Sequence, residues 1–284
     1  MLRMMNDNIE ISGNSGTCQS CGSKFKGKFC SICGEKKFNP KHDLSITKFL
    51  EHSIDMFIHL DSKFFKTFIK LFFYPGMLTK YYISGRRVLY MKPMQLFVLA
   101  SIIFYFLLPS ANAYFSAIED LNGKFGIQNI IHYNVNDKIL EKSMKHNASK
   151  ERVVNSVYVQ AIHSSKLFLF SILPFWALIL FALFYKSNKF YVSHVVFSIH
   201  CFSFFILIHM LYLSALSWFM NSEPLFYLIP LFIIFALYVI FAIRKVYQSG
   251  IIVTIMKGIV VCLSFLILLE LYRECITIMT LMYL

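Results

Sequence analysis

Charged residues are scarce in this chain of 284 residues, in which only 15% of the positions are Asp, Glu, Lys or Arg. Soluble globular domains carry about 25%, so the chain lacks the polar surface that a water-soluble body of this length needs. Hydrophobic residues make up 57% of the chain and aromatic residues 17%. The composition therefore indicates a membrane protein and excludes one or two ordinary soluble domains.

Catalytic motifs are missing as well. The sequence contains no Ser-His-Asp order, no Walker loop and no His-Glu-x-x-His pair, each of which sets reactive groups at a defined spacing. Residues 1–17 contain no apolar core of the kind a signal peptide needs. Their polar composition instead predicts a disordered leader. No reaction follows from the sequence, and an enzyme is the less favoured class.

Cysteine is concentrated in two motifs near the N-terminus, Cys18-Gln-Ser-Cys21-Gly22 and Cys30-Ser-Ile-Cys33-Gly34. Each pair can reach one metal ion from a tight turn, and four thiolates complete a tetrahedral site. The spacing predicts a zinc ribbon over 18–38 that binds a structural Zn²⁺ and performs no chemistry. A redox dithiol is the alternative, although that site usually needs one Cys-x-x-Cys at a helix N-terminus. Because oxidising compartments favour disulfides, the quartet also predicts a cytoplasmic location.

Acidic residues are fewer than basic ones, 15 against 28, which gives a net charge of +13. Residues 1–92 hold fifteen Lys and Arg and seven Asp and Glu (15 − 7 = +8). Such a segment fits either nucleic-acid binding or the positive bias of cytoplasmic loops in membrane proteins. The lysines are spread out and the aromatic residues near them are interfacial in character. We therefore favour the membrane bias and expect no nucleic-acid partner.

Residues 39–93 are predicted to form a linker and amphipathic helices on the membrane surface. From Ser45 to Phe73, apolar residues recur at three-and-four spacing with one interruption near Asp61. Such helices place aromatic side chains among the lipid headgroups and lysines outward. Arg86 and Arg87 lie among tyrosines just before an apolar run, which predicts contact with anionic headgroups. A phosphate-bearing ligand at these two arginines is the alternative.

Residues 94–284 predict a transmembrane bundle with an external loop over 116–166. Five apolar stretches each approach the ~20 residues that a bilayer requires. Pro174 and Pro230 are expected to interrupt and kink the second and fourth spans. Basic residues between the spans place the N-terminus in the cytoplasm and the C-terminus in the periplasm. The predicted spans are 94–115, 167–185, 194–220, 225–243 and 251–272.

Histidines inside the third predicted span are costly in a membrane and are therefore functional candidates. At about 100° per residue, His194 and His200 lie roughly 240° apart around the helix, so they cannot form a metal site on one face. We expect them to hydrogen-bond neighbouring helices instead, with Ser198 and Ser203 one turn further along.

The fifth predicted span carries two more ionisable residues, Lys257 and Glu270. They are about 20 Å apart at the helical rise, so they do not pair directly. Lys257 can extend towards the cytoplasmic end. A proton or ion path through both residues is the alternative.

Several separated stretches together resemble a bacterial family catalogued as domain of unknown function 3667. The resemblance implies an N-terminal zinc ribbon and a multi-pass body in the bacterial inner membrane, and no established activity. At Ser193 the chain departs from the family, which often has an acidic residue before the histidine, so an acid–histidine pair is not carried over. The matching stretches are the two cysteine motifs, Thr67–Gly76, Tyr82–Arg87 with Tyr90 and Pro93, Tyr191–His200 and Arg244–Tyr247.

The sequence thus predicts an all-α fold, a multi-pass transmembrane helical bundle of about five spans with a small N-terminal four-cysteine zinc ribbon and interfacial amphipathic helices. Our hypothesis is a membrane scaffold or adaptor whose cytoplasmic ribbon binds a protein partner. A membrane enzyme requires the histidines and Glu270 to converge. The alternative is a transporter or lipid-handling protein that uses Arg86, Arg87, His194, His200, Lys257 and Glu270.

Overall fold

The computed structural model describes residues 16–49, 63–107, 169–216 and 225–283, together with single positions between 141 and 156. Most of the predicted leader and most of the predicted external loop lie outside these residues. The described chain is mostly helical, as expected. Its elements are β1 (Gly16–Thr17), β2 (Lys24–Phe25), α1 (Pro40–Asp43), α2 (Lys63–Phe73), α3 (Met77–Ile83), α4 (Pro93–Leu107), α5 (Ile172–Phe184, after a 3₁₀ turn at Leu169–Ser171), α6 (Tyr191–Leu216), α7 (Leu225–Tyr247) and α8 (Ile251–Tyr283).

The cysteine-rich segment forms a small two-stranded unit. Strand β1 pairs antiparallel with β2, with Gly16 opposite Phe25, and an isolated bridge joins Phe29 to Lys36. Strand β1 consists of the last two residues of the predicted leader, so the two-stranded unit begins before Cys18. Its own core consists of Cys18, Phe25 and Cys30 with Cys33 against them. A core of this size does not stabilise a domain unaided.

Helix α2 has two apolar faces where the sequence predicts a single stripe. Thr67 and Leu71 are buried, whereas Phe65, Ile69 and Phe73 are exposed. The threonine hydroxyl donates to a carbonyl in its own helix and accepts from the backbone N–H of residue 91 at 3.0 Å. One face of α2 therefore packs on protein, and the other carries Phe65, Ile69 and Phe73 outward.

Helix α3 packs into the bundle. The sequence analysis had placed this segment only on the membrane surface. Gly76 precedes α3 with a φ of 75°, and a Cβ there would lie 2.7 Å from the carbonyl oxygen of Ala242 in α7. Thr79 is buried and hydrogen-bonds His200 of α6. These small residues let the α3 backbone approach its neighbours closely, which apolar periodicity alone does not reveal.

The bundle is arranged around α6. In its apolar segment 78% of the residues are buried, against 33% in α7 and 22% in α8. Helix α6 contacts both α4 and α5, and α8 contacts α5 and α7. The exposed surface of α7 and α8 is rich in large apolar side chains such as Phe241 and Ile252. Exposed apolar surface of this extent is typical of helices that lipid chains surround.

Aromatic side chains fill the space where α5, α6, α7 and α8 meet. The ring of Phe265 lies 4.8 Å from Trp176, 4.7 Å from Phe235 and 5.1 Å from Phe205, measured between ring centroids. The indole N–H of Trp176 donates to the carbonyl oxygen of Val261 at 3.2 Å. The only polar atom of this buried side chain is thereby satisfied inside the bundle.

All five predicted apolar stretches are helical where the structure describes them. Three segments are long and apolar enough to cross a membrane: Tyr191–Tyr212, Ile229–Tyr247 and Ile251–Thr280. Two shorter apolar helices, Pro93–Phe104 and Leu169–Phe184, coincide with the first and second predicted spans. The structure therefore supports a membrane protein with three candidate spans.

The helix that contains the fifth predicted span is longer than that span, since α8 continues past residue 272 through Tyr283. The expected interruption at Pro174 was wrong. Pro174 does not interrupt a helix, since it lies in the first turn of α5, where a missing N–H needs no partner. Its carbonyl oxygen instead accepts a hydrogen bond from the Tyr191 hydroxyl at 2.8 Å. Pro230 lies inside α7, as expected.

Candidate metal centre

The two Cys-x-x-Cys-Gly motifs form equivalent turns. In the first, the backbone N–H of Cys18 donates to Ser23 at 2.8 Å, and that of Gly22 donates back to Cys18 at 3.0 Å. The second turn repeats both hydrogen bonds at 2.8 and 2.9 Å. Gly22 and Gly34 have φ values of 76° and 73°, a left-handed conformation that glycine adopts without strain. The repeated geometry aims both cysteine pairs at one point.

The four thiols form one compact cluster. All four Sγ atoms lie within 4.8 Å of one another. The Sγ atoms of Cys18 and Cys33 are 3.4 Å apart, and those of Cys21 and Cys30 are 3.6 Å apart. A tetrahedral Zn²⁺ with Zn–S bonds of about 2.3 Å needs sulfur atoms roughly 3.8 Å apart. The cluster is therefore compatible with a closed metal site that has four sulfur ligands.

Hydrogen bonds at the cluster favour one thiolate. The Ser23 hydroxyl, 3.1 Å from the Cys30 sulfur, and the backbone amides of Cys33 and Ile32 lower the pKa of the Cys30 thiol to about 6. The backbone amide of Glu35 acts in the same direction on Cys33, but burial and the three neighbouring sulfur atoms raise its pKa to about 12. Four thiols this close cannot all ionise alone, and a bound cation removes that conflict.

Glu35 fastens the ribbon to the chain that leads into α4. Its buried carboxylate accepts a hydrogen bond from the Ser20 hydroxyl at 2.6 Å. The same oxygen accepts from the backbone N–H groups of Arg87 and Val88, both at 3.0 Å. Sequence analysis missed this residue, and its only signal was an acidic side chain directly after the second motif, in a segment rich in lysine.

The two candidate arginines occupy different environments. Arg87 lies over the rings of Tyr82 and Phe38, 4.2 and 4.9 Å from their centroids. Its guanidinium also donates to the carbonyl oxygens of Tyr82 at 3.3 Å and Asp43 at 3.5 Å. Arg86 is exposed and lies 5.5 Å from the centre of another tyrosine ring. Arg87 is thus engaged by backbone carbonyls, whereas Arg86 contacts an aromatic face.

The histidines connect helices, as expected. The Nε2 atom of His194 is 3.1 Å from the carbonyl oxygen of Asn188, which can only accept, so Nε2 carries the proton. Nδ1 then accepts from the Tyr247 hydroxyl of α7 at 2.8 Å. Nδ1 of His200 lies 2.8 Å from the hydroxyl of Thr79 in α3. The histidines therefore join different pairs of elements and share no site.

The two serines expected one turn beyond these histidines hydrogen-bond backbone carbonyls of their own helix and do not connect helices. Ser198 donates to the carbonyl oxygen of His194 at 3.0 Å, and Ser203 donates to that of Ile199 at 2.8 Å. Both bonds lie within α6 and satisfy the hydroxyl in an apolar interior. The connections between helices are made instead by Tyr247 and Thr79, which sequence spacing does not identify.

Lys257 and Glu270 lie apart, as predicted. The ammonium group of Lys257 donates to the carbonyl oxygen of Leu183 at 2.6 Å, in the last turn of α5. A cation at this end of a helix satisfies a carbonyl and complements the helix dipole. Glu270 pairs with Arg273, which also lies 3.1 Å from Glu274. Arg273 and Glu274 lie in α8 directly beyond the fifth predicted span, which ends at residue 272.

The fold and the cluster together define a class: mostly helical proteins with apolar helices long enough to cross a membrane and an N-terminal group of four cysteines. Residues 61–105 match the model of a family described as a protein of unknown function (DUF3667). The resemblance found in the sequence is confirmed over that segment, which covers α2, α3 and most of α4. No curated protein and no solved structure matches the chain.

Proposed function

We propose that the protein is a membrane adaptor whose four cysteines bind one structural Zn²⁺ and whose ribbon binds a protein partner. One observation carries the proposal: the ribbon is fastened to the chain before α4 through Glu35, and one of its two cysteine turns presents an exposed apolar side chain. Ser20 of the first motif bonds Glu35 at the junction. The equivalent residue of the second motif is Ile32, which is 74% exposed.

Zinc fits the cluster best because thiolates are soft ligands and four of them leave no open position. The metal then holds a unit whose own core is too small to do so. Exposed Phe29 next to the second motif extends the apolar surface around Ile32. A small, rigid surface of this kind, tied to a membrane body, suits recognition of a protein partner.

The proposal places the ribbon in the cytoplasm of a bacterium, at the inner membrane. Lysines 186 and 189 precede α6, and Arg244 and Lys245 end α7, so basic residues cluster at one end of the bundle. The C-terminus is then periplasmic. Anionic headgroups are the lipid partner we propose for the exposed aromatic face of α2, where Lys66 is also exposed.

The alternative, a transporter or lipid-handling protein acting through intramembrane polar residues, receives less support. His194, Lys257 and Glu270 each contact a different partner. The contacts of His194 and Lys257 join packed elements, and that of Glu270 lies within α8. A membrane enzyme meets the same objection, because the histidines and Glu270 do not converge.

Zinc content and partner recovery test the adaptor. The purified full-length protein is expected to contain one zinc ion per chain, and Cys30→Ser is expected to lose it. A crosslinker placed at position 32 in native membranes should capture a defined partner. Ile32→Ser should reduce recovery of that partner at least about tenfold, since a central apolar anchor contributes about 2 kcal/mol or more.

Ile46→Ser is the matched control, because Ile46 is an exposed isoleucine of the N-terminal part outside the ribbon. This variant should keep both the zinc and the partner. An unchanged partner set for Ile32→Ser and Cys30→Ser would contradict docking through the ribbon. A second metal ion per chain would favour the enzyme instead.

A further inference from the structure

A cavity of about 460 Å³ lies between the ribbon, helices α2 and α3 and the start of α4. Small-molecule sites usually measure roughly 300–1,000 Å³. Part of its wall is apolar and includes Phe38, Leu78 and Met94. Charged side chains from the ribbon, from α1 and α2 and from the segment before α4 also line it. The cavity is therefore amphipathic.

The charged part of the wall is mainly basic. Among the residues that the structure describes, five cations and two carboxylates line the cavity, so their formal balance is +3 (5 − 2). A positive balance in a concave site focuses the potential and attracts anions. The basic residues are Lys36, Lys63, Arg86, Arg87 and Lys92, and the acidic ones are Glu35 and Asp43.

Both carboxylates are already occupied by the protein. Glu35 accepts three hydrogen bonds on one oxygen, two of them from backbone amides. Asp43 accepts from the Lys36 ammonium at 3.3 Å on one oxygen and from the backbone N–H of Asn39 at 2.8 Å on the other. These bonds compensate the two negative charges, so the described part of the wall keeps a positive balance.

A buried imidazole and a helix start also contribute to the wall. His200 lines the cavity with 4% of its surface exposed. Thr79 engages its Nδ1 atom, and no hydrogen bond to Nε2 is present among the residues that the structure describes. Pro93 and Gln95 of the first turn of α4 line the cavity as well, and that turn contains no acidic residue. The positive end of the helix dipole therefore adds to the basic side chains.

We propose that this cavity binds a phosphate group, carried by an anionic lipid or by a free phosphorylated compound. The basic wall and the start of α4 bind the phosphate, and His200 supplies a hydrogen bond through Nε2. The apolar wall accommodates the nonpolar part of the ligand. Arg86 makes the principal contact, because backbone carbonyls hold the guanidinium of Arg87 in place. This site is independent of the adaptor role.

Binding to the purified, delipidated full-length protein in detergent tests the site. Calorimetric titrations use short-chain phosphatidic acid, inorganic phosphate and phosphatidylcholine with the same chains. Phosphatidic acid is expected to bind saturably. Arg86→Ala should weaken that binding about tenfold, the effect of losing one charge-assisted hydrogen bond. Lys66→Ala, an exposed cation of α2 outside the cavity, should bind within about twofold of the wild type.

The two ligand sources are distinguished by the same titrations. Binding of phosphatidic acid alone identifies a lipid, and equally tight, Arg86-dependent binding of inorganic phosphate identifies a free phosphorylated compound. Equal loss in Arg86→Ala and Lys66→Ala would overturn the site, because it would indicate nonspecific charge attraction. Binding of phosphatidylcholine as tight as that of phosphatidic acid, or no binding of either phosphate, would also overturn it.

Discussion

A single carboxylate, that of Glu35, accepts hydrogen bonds from the ribbon and from the chain that enters α4. The residue is 5% exposed, and its partners are Ser20 and the backbone amides of Arg87 and Val88. Hydrogen bonds to a charged group contribute about 1.5–3 kcal/mol each, and a buried donor left without a partner is costly. At the scale of one residue, Glu35 therefore sets the position of the ribbon on the bundle.

Glu35→Ala should detach the ribbon without unfolding the bundle. Removal of the carboxylate leaves two backbone donors unpaired, so the junction should lose about 2–4 kcal/mol. Hydrogen exchange of the full-length protein measures this: amides 87 and 88 and the ribbon should exchange faster, whereas α6 should not change.

Glu35→Gln is the control for this substitution. Its amide oxygen can still accept from the backbone amides, so protection at 87 and 88 should be partly retained. Unaltered exchange in Glu35→Ala would show that the ribbon is held by other contacts.

At the scale of one element, α3 depends on close backbone contact. Gly76 has a positive φ, and a Cβ there would meet backbone atoms of Ala242 at 2.7 and 2.9 Å. Backbone atoms cannot move aside as a flexible side chain does. Apolar packing of Leu78 and the hydrogen bond of Thr79 then follow from that approach. Helix α3 is consequently part of the bundle.

Gly76→Ala should destabilise the protein by about 2–4 kcal/mol, the sum of a strained left-handed alanine and an overpacked contact. The expected result is a lower midpoint of thermal unfolding in detergent. Gly250→Ala is the matched control, since a Cβ at Gly250 meets nothing within 4 Å. Equal midpoints for the two variants would rule out the close contact between α3 and α7.

At the scale of the whole molecule, the described residues contain two separate cores. One is the small cluster of Cys18, Phe25 and Cys30, and the other is the large aromatic and aliphatic core of the bundle. In the proposed zinc-bound form the four cysteines cross-link the ribbon, whereas the bundle depends on its own packing. The two should therefore respond differently to loss of the metal.

Removal of the metal with a strong chelator should unfold the ribbon and leave the bundle helical. Limited proteolysis should then cut within 18–38, while the helical circular dichroism signal should change little, because the strands and turns of the ribbon contribute little to it. Re-addition of zinc should restore protection, since metal binding and folding of such a site are coupled. Loss of most of the helical signal on chelation would contradict the presence of two independent cores.

Local chemistry was predictable from the sequence. The spacing of Cys18, Cys21, Cys30 and Cys33 predicted one cluster because a pair two residues apart fits a single turn. The five apolar stretches were predicted because the length and hydrophobic composition of a helix depend only on consecutive residues. The expected separation of Lys257 from Glu270 followed from helical rise alone.

By itself, the sequence determined that the chain is apolar and helical, and that four thiols meet. Only the tertiary structure decided that Glu35 bonds the amides of Arg87 and Val88, and that Thr79 bonds His200, 121 residues away along the chain. It also decided that α3 packs into the bundle and that α8 continues beyond the predicted span. The physical reason is that periodicity records which face of a helix is apolar, whereas the partner of a polar atom depends on the path of the whole chain.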